Sequence, residues 1–171
     1  MWIHCLDRSS EAGTRAPFLR TWRVWQWFVE YFPLRLVKTV DLDPDEKYVF
    51  AYHPHGVISV GAFGCFGTEG AGFSRLFPGI DLRILTLAIN FTAPLVREIF
   101  LSLGACSASR RSCDQILGDK GSGSAIMLVV GGAAESLDAA PGVMKLTLAR
   151  QGFVRVALDH GAKLVPGACG G

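Results

Sequence analysis

The chain has 171 residues, of which half are hydrophobic and 19% are charged, and its formal net charge is +2. This length favours one compact domain with a core large enough to fold. The scarcity of charge argues against a disordered chain, and a net charge so close to zero excludes a nucleic-acid binder that works by bulk charge. The high apolar content fits a buried α/β core or a protein that rests on a membrane.

The first forty residues differ from the rest of the chain. They carry six Lys or Arg against three Asp or Glu, and they contain all four tryptophans. Residues 18–32 are predicted to form a helix that ends at Pro33, with Arg20 and Glu30 on a polar stripe and aromatic side chains over the rest. These aromatics either pack on the body as ordinary core or lie at the headgroup level of a bilayer. We predict a basic, Trp-rich membrane-surface segment over residues 1–40.

The remainder, residues 41–171, is predicted to be one domain in which apolar strands alternate with helices. No run reaches the ~18 apolar residues that a spanning helix needs. Strands are predicted over residues 48–52, 125–130 and 163–166, helices over 143–151 and 153–160, and loops over 41–46 and 118–123, while residues 57–66 show no clear helical spacing. Strands separated by helices favour an α/β fold with a mostly parallel sheet flanked by helices.

Several familiar signatures do not occur in the sequence. It contains no GxSxG nucleophile elbow, no glycine-rich nucleotide loop and no HExxH zinc motif. Its five cysteines include no CxxC pair. They therefore predict free thiols in a reducing compartment rather than a disulfide framework.

Two of the four histidines, His53 and His55, flank Pro54 directly after the first predicted strand. Residues i and i+2 of an extended backbone face the same side, and ligand crevices form at strand ends in α/β sheets. Pro54 fixes φ and removes a backbone donor, and Gly56 permits a sharp turn directly after the motif. Three interpretations stay open: a structural pair, a metal site that has no third ligand nearby, and a general base. We favour the base, because imidazole titrates near neutral pH, and the sequence does not separate His53 from His55 in that role.

A second motif, Gly-Gly-Ala-Ala-Glu-Ser at residues 131–136, follows the second predicted strand. Its two glycines let the backbone approach a ligand closely. Glu135 is expected at the same sheet edge as the histidines, where it orients an imidazole or contacts substrate. The alternative is a carboxylate in the first turn of a helix, which complements the helix dipole. Ser59 and Cys65 are weaker candidates for a nucleophile.

Eight blocks of sequence occur in a consistent order between Leu19 and Pro166. They are Tyr31-Phe32-Pro33, Leu36-Val37-Lys38-Thr39, Tyr52-His53-Pro54-His55-Gly56, Gly61-Ala62-Phe63, Phe77-Pro78-Gly79, residues 130–137, Gly152-Phe153-Val154 and residues 160–166. Together they resemble the diacylglycerol acyltransferase type 2 family, which includes monoacylglycerol and wax-alcohol acyltransferases.

The resemblance implies a glycerolipid-acyltransferase-like fold, with residues 41–171 as an incomplete acyltransferase domain. It also implies an acyl-CoA-dependent O-acyltransferase that esterifies a lipid hydroxyl. Diacylglycerol is favoured as acceptor over monoacylglycerol and fatty alcohols. Members of the family have a membrane hairpin before Tyr-Phe-Pro and continue past Leu-Val-Pro into a Phe-Gly-Glu block, and this chain has neither. An inactive lipid-binding or modulatory fragment is therefore the alternative function, and whether the chain is an enzyme stays open.

The resemblance also carries the expected site and partners. His53, His55 and Glu135 are expected to be catalytic, with His as the general base. Substrate binding or local structure is expected of Tyr31, Phe32, Pro33, Pro54, Gly56, Gly131 and Gly132. Backbone N–H groups near Gly56 or the two glycines are candidates for an oxyanion hole.

Acyl-CoA is expected as co-substrate with no further cofactor or metal. Expected partners are a neutral lipid, the cytosolic face of the endoplasmic reticulum or a lipid droplet, and a homo- or hetero-oligomer, but no nucleic acid.

Overall fold

The computed structural model describes residues 9–12, 16–53, 59–119, 121–138, 145–146 and 149–168. They are organised around a five-stranded sheet. Its strands are β1 (Tyr48–His53), β2 (Asp81–Thr86), β3 (Cys106–Ser107), β4 (Ser124–Val129) and β5 (Lys163–Ala168). Their order across the sheet is β3-β2-β4-β1-β5, and every neighbouring pair is parallel. This confirms the predicted α/β class with a parallel sheet.

Helical segments connect the strands. They are α1 (Ser9–Ala12), α2 (Pro17–Arg20), α3 (Arg23–Tyr31), α4 (Val60–Ala62), α5 (Phe73–Leu76), α6 (Pro94–Ser102), α7 (Arg110–Asp114), α8 (Gly132–Asp138) and α9 (Gly152–Asp159). Two π-helical segments, Phe63–Gly67 and Gln115–Asp119, continue α4 and α7, and a short 3-10 helix spans Ala88–Phe91.

Both faces of the sheet are covered. On one face Phe50 and Tyr52 pack with residues of α5 and of the π-helical continuation of α4. On the other face Val49 packs with residues of α7 and α9. A strand that is buried on both faces is apolar throughout, and this is why β1 and β4 are visible in the sequence as continuous hydrophobic runs.

The predicted helix over residues 18–32 is wrong at its start. It is two helices, α2 and α3, separated by Thr21 and Trp22. Arg20 does not lie on a solvated polar stripe either, since it is only 1% exposed.

Buried Arg20 anchors the N-terminal segment to the body. Its guanidinium donates to the carbonyl oxygens of Leu103 and Phe66 at 2.9 and 3.1 Å and approaches the Glu69 carboxylate at 3.4 Å. Burial lowers the pKa of Arg20, because desolvation disfavours its charged form. These contacts satisfy the Nη1 and Nη2 donors, which would otherwise be costly to bury, whereas the buried Nε has no hydrogen-bond partner.

Three further predictions need correction. Residues 145–146 and 149–151 are not helical, although a helix was predicted over 143–151. Residues 60–67 are helical despite their lack of helical spacing, and the predicted loop over 118–123 begins with the end of a π-helical segment. Strand β2 was not predicted, because Asp81 and Arg83 interrupt its apolar pattern.

The aromatic side chains of the N-terminal segment differ in burial. Trp25 packs edge-on against Phe63, with ring centroids 5.5 Å apart, and its indole N–H donates to the Leu19 carbonyl at 2.6 Å. By contrast, Trp27 and Tyr31 are 61% and 79% exposed. Within the part of the chain that the structure describes, no helix has the length and apolar character needed to cross a bilayer.

Candidate active site

The carboxyl ends of β1 and β4 bring His53 and Glu135 together. These strands are neighbours, with Tyr52 opposite Val129. His53 is the last residue of β1, and Glu135 lies in the first turn of α8, which follows β4 directly. The distance between His53 Nδ1 and Glu135 Oε1 is 2.7 Å. Parallel pairing of the strands therefore brings together two residues that are 82 positions apart in the sequence.

The two members of this pair differ in their access to solvent. The Glu135 side chain is fully buried, whereas the His53 ring keeps 16% of its surface exposed. A buried carboxylate that accepts a hydrogen bond from Nδ1–H fixes the tautomer in which Nε2 carries the lone pair. Such a ring is held in one orientation and has one nitrogen available to take up a proton. The structure thus pairs the groups as expected, and their catalytic role stays a prediction.

Gly131 makes room for the Glu135 carboxylate. A Cβ atom added at this position would lie 1.8 Å from Cδ and 1.9 Å from Oε2 of Glu135. No side chain at position 131 is compatible with that approach, so the glycine is needed for contact between the carboxylate and the backbone. The two glycines in the sequence predicted a close approach to the backbone here, but by a ligand rather than by a carboxylate.

Gly132 has a different requirement. Its φ of +58° lies in the left-handed region that glycine tolerates best. A Cβ here would come within 2.5 Å of Nη1 of Arg150, so the guanidinium lies against this glycine.

An apolar cavity of about 900 Å³ opens beside the carboxyl ends of β2 and β4. Its wall includes Phe63 from the π-helical continuation of α4, and Val130 and Gly132. Gly132 is the first residue of α8, the helix that carries Glu135, so the cavity lies near the pair, although neither His53 nor Glu135 lines it. Leu87 also lines it and is 65% exposed, so the cavity continues into an exposed apolar surface. This volume is in the range of small-molecule sites, and its mainly apolar lining suits an aliphatic chain.

A second cavity, of about 780 Å³, lies beside β1 and β5. Phe32 and Pro33 of the Tyr-Phe-Pro block line it, together with Tyr52 and Cys65. Residues 60–67 contribute to both cavities and so stand between them. Local π-helical geometry of this kind is frequent at functional sites.

The other predicted site residues have varied surroundings. Tyr31 is largely exposed and stacks edge-on against Phe32, with ring centroids 4.9 Å apart. Pro54, His55 and Gly56 lie outside the described residues.

Ser59 was predicted to be only a weak candidate for a nucleophile, but its surroundings in the structure are those of a functional residue. It lines the first cavity and has φ of +49°, a conformation that non-glycine residues rarely adopt. Such strain clusters at functional sites. The signal in the sequence was only its proximity to the histidine motif.

The structure thus has a histidine–carboxylate pair at the carboxyl edge of a parallel sheet, near two mainly apolar cavities. This arrangement is chemically suited to acid–base chemistry on hydrophobic substrates. The family model described as "Diacylglycerol acyltransferase" matches residues 1–171. The chain belongs to this diacylglycerol acyltransferase family.

Individual relatives agree with this assignment. The chain is 50% identical to diacylglycerol O-acyltransferase 2 of Xenopus tropicalis over 157 residues, which cover 91% of this chain and 44% of that protein. It is 48% identical to diacylglycerol O-acyltransferase 2A of Umbelopsis ramanniana over 167 residues, 96% of this chain and 47% of that protein. The human diacylglycerol O-acyltransferase 2 is 50% identical over 91% of this chain and 40% of its own length. The chain thus spans less than half the length of these relatives. No solved structure matches it.

Proposed function

We propose that the protein is an acyl-CoA-dependent O-acyltransferase that esterifies a lipid hydroxyl, with diacylglycerol as the favoured acceptor. The observation that carries this proposal is the 2.7 Å contact between His53 and buried Glu135 beside an apolar cavity. Membership of the family and the names of its relatives support the same chemistry.

The proposed reaction requires a general base on the protein to activate the alcohol, and it requires no nucleophilic side chain. A thioester is already activated because thiolate is a good leaving group, whereas an alcohol ionises poorly. His53 Nε2 removes the hydroxyl proton while the alcohol oxygen attacks the thioester carbonyl. The tetrahedral intermediate collapses with loss of CoA thiolate, which accepts the proton from the imidazolium. One C–O bond forms and one C–S bond breaks.

Glu135 acts in this scheme as a positioning residue. Its carboxylate keeps the Nδ1 proton in place and stabilises the imidazolium that forms when Nε2 gains a proton. Backbone N–H groups at Gly131 and Gly132 are the proposed donors to the oxyanion, since Gly132 lines the cavity.

The direct test is acyl transfer from radiolabelled oleoyl-CoA by the purified protein. Diacylglycerol, monoacylglycerol and a fatty alcohol are each presented in detergent micelles as acceptors. We expect labelled triacylglycerol to form fastest. A protein that binds oleoyl-CoA without forming any ester would instead support the inactive lipid-binding fragment.

We also propose that residues 1–40 lie on a membrane surface, where a bilayer-dissolved acceptor is accessible. The support is the exposure of Trp22, Trp27 and Tyr31, since indole and phenol rings combine an apolar body with a polar group and suit the headgroup region. Location at the endoplasmic reticulum or a lipid droplet, and oligomer formation, stay predictions.

Vesicle flotation tests this surface. With vesicles of phosphatidylcholine and diacylglycerol, we expect the unaltered protein to float and the Trp22→Ser/Trp27→Ser variant to lose most of its bound fraction. Leu158→Ser is the control, because Leu158 is 76% exposed but lies on α9, outside the segment. Equal flotation of all three proteins would contradict the assignment.

A further inference from the structure

The first cavity contains one charged side chain among the described residues that line it. The lining is mainly apolar, with Thr86 and Asn90 among the neutral polar groups, and the charged residue is Arg150. A cation does not help to bind an aliphatic chain, so its place beside an otherwise apolar cavity points to a charged group on the ligand.

Arg150 lies close to the proposed catalytic groups. Its guanidinium approaches the Cα of Gly132 so closely that a Cβ there would be 2.5 Å from Nη1 and 3.3 Å from Nη2. The preceding glycine, Gly131, is in contact with the Glu135 carboxylate that binds His53. Two adjacent glycines therefore bring the cation near the histidine–carboxylate pair.

The guanidinium is also available for a ligand. Arg150 is exposed, and among the residues that the structure describes it has neither an ion pair nor a hydrogen-bonded carboxylate. Exposed Arg110 and Arg111 pair with carboxylates. Other exposed arginines, such as Arg23, Arg75 and Arg155, also lack an ion pair among the described residues, but of all the described arginines only Arg150 lines the first cavity. A planar guanidinium with free N–H groups is well suited to bind a phosphate through two parallel hydrogen bonds.

We propose that Arg150 binds a phosphate group of the acyl donor and so places the thioester at the cavity mouth. The proposal rests on the proposed function, in which the donor is acyl-CoA. That donor combines an aliphatic chain, which suits the apolar lining, with a phosphorylated headgroup, which suits the cation. Arg150 is thus a determinant of donor specificity and takes no part in proton transfer.

The test separates recognition of the headgroup from chemistry. Arg150→Ala is compared with Arg155→Ala, which removes the same charge from an exposed position on α9 that lines neither cavity. We expect Arg150→Ala to raise KM for oleoyl-CoA about tenfold to a hundredfold, with kcat within about twofold of the unaltered value. Arg150→Lys should recover part of the loss, and Arg155→Ala should leave KM unchanged.

A donor without phosphates provides the decisive comparison. Oleoyl-pantetheine carries the same thioester but no phosphate group, so its KM should be the same for Arg150→Ala and the unaltered protein. If Arg150→Ala has the unaltered KM for oleoyl-CoA, or raises the KM of both donors equally, the proposal is wrong.

Direct binding keeps this outcome distinct from failure of the proposed function. The affinity of CoA itself is measured by calorimetric titration at two salt concentrations, with 3′-dephospho-CoA to identify the phosphate involved. We expect weaker CoA binding and a smaller salt dependence for Arg150→Ala. A protein without transferase activity would refute the function, whereas unchanged CoA affinity in Arg150→Ala would refute the role of Arg150.

Discussion

Replacing His53 with alanine is expected to lower kcat for acyl transfer by about 10²–10⁴-fold, which is the usual contribution of a positioned general base. The reason is that the His53 ring, oriented by Glu135 at 2.7 Å, is the group proposed to accept the hydroxyl proton. The measurement is single-turnover transfer from labelled oleoyl-CoA to diacylglycerol, with thermal unfolding as a check that the variant is folded.

His160→Gln is the matched control. His160 also faces a carboxylate, with Nε2 3.2 Å from Asp114 Oδ1. It lies between α9 and the start of β5, however, whereas His53 lies at the carboxyl end of β1. We expect its turnover to stay within about threefold of the unaltered value, as for sites remote from the chemistry. Full turnover in His53→Ala would remove this residue as the base, and full turnover in both His53→Ala and His55→Ala would remove the histidine motif from the mechanism.

Gly131→Ala is expected to have the second largest effect. The added Cβ would need the space that the Glu135 carboxylate occupies, 1.8 Å from its Cδ, so the carboxylate must leave the His53 ring. We expect kcat to fall at least about tenfold and the free energy of unfolding to fall by about 1–3 kcal/mol, as is typical of overpacking. Denaturant unfolding and the transferase assay measure the two quantities.

A double-mutant cycle distinguishes displacement of Glu135 from a general loss of structure. Glu135→Ala removes the atoms with which the new Cβ collides, so adding Gly131→Ala to it should lower kcat and stability little further. Gly118→Ala is the control, because no atom lies within 4 Å of a Cβ at that position. Additive losses in the double variant would contradict the proposed contact.

Strands β1 and β4 could be predicted because a strand buried on both faces is apolar throughout and needs no tertiary information to be recognised. Strand β2 could not, since Asp81 and Arg83 give it the appearance of a polar loop. Arg83 is nevertheless only 7% exposed, and burial lowers its pKa. Hydrophobic patterning assumes that charged residues face water, and Arg20 and Arg83 both break that assumption.

For the candidate site too, some features could be predicted from the sequence and others could not. The sequence by itself determined the residue types, the positions of the two motifs after strands and, through the resemblance, the family. Only the tertiary structure decided that Glu135 contacts His53, that Gly131 accommodates a carboxylate, and that Arg150 lies against Gly132 at the cavity. The physical reason is that local patterns report short-range backbone preferences and burial, whereas these contacts depend on which strands are neighbours. The order β3-β2-β4-β1-β5 arises from packing of the whole sheet, and no segment encodes it alone.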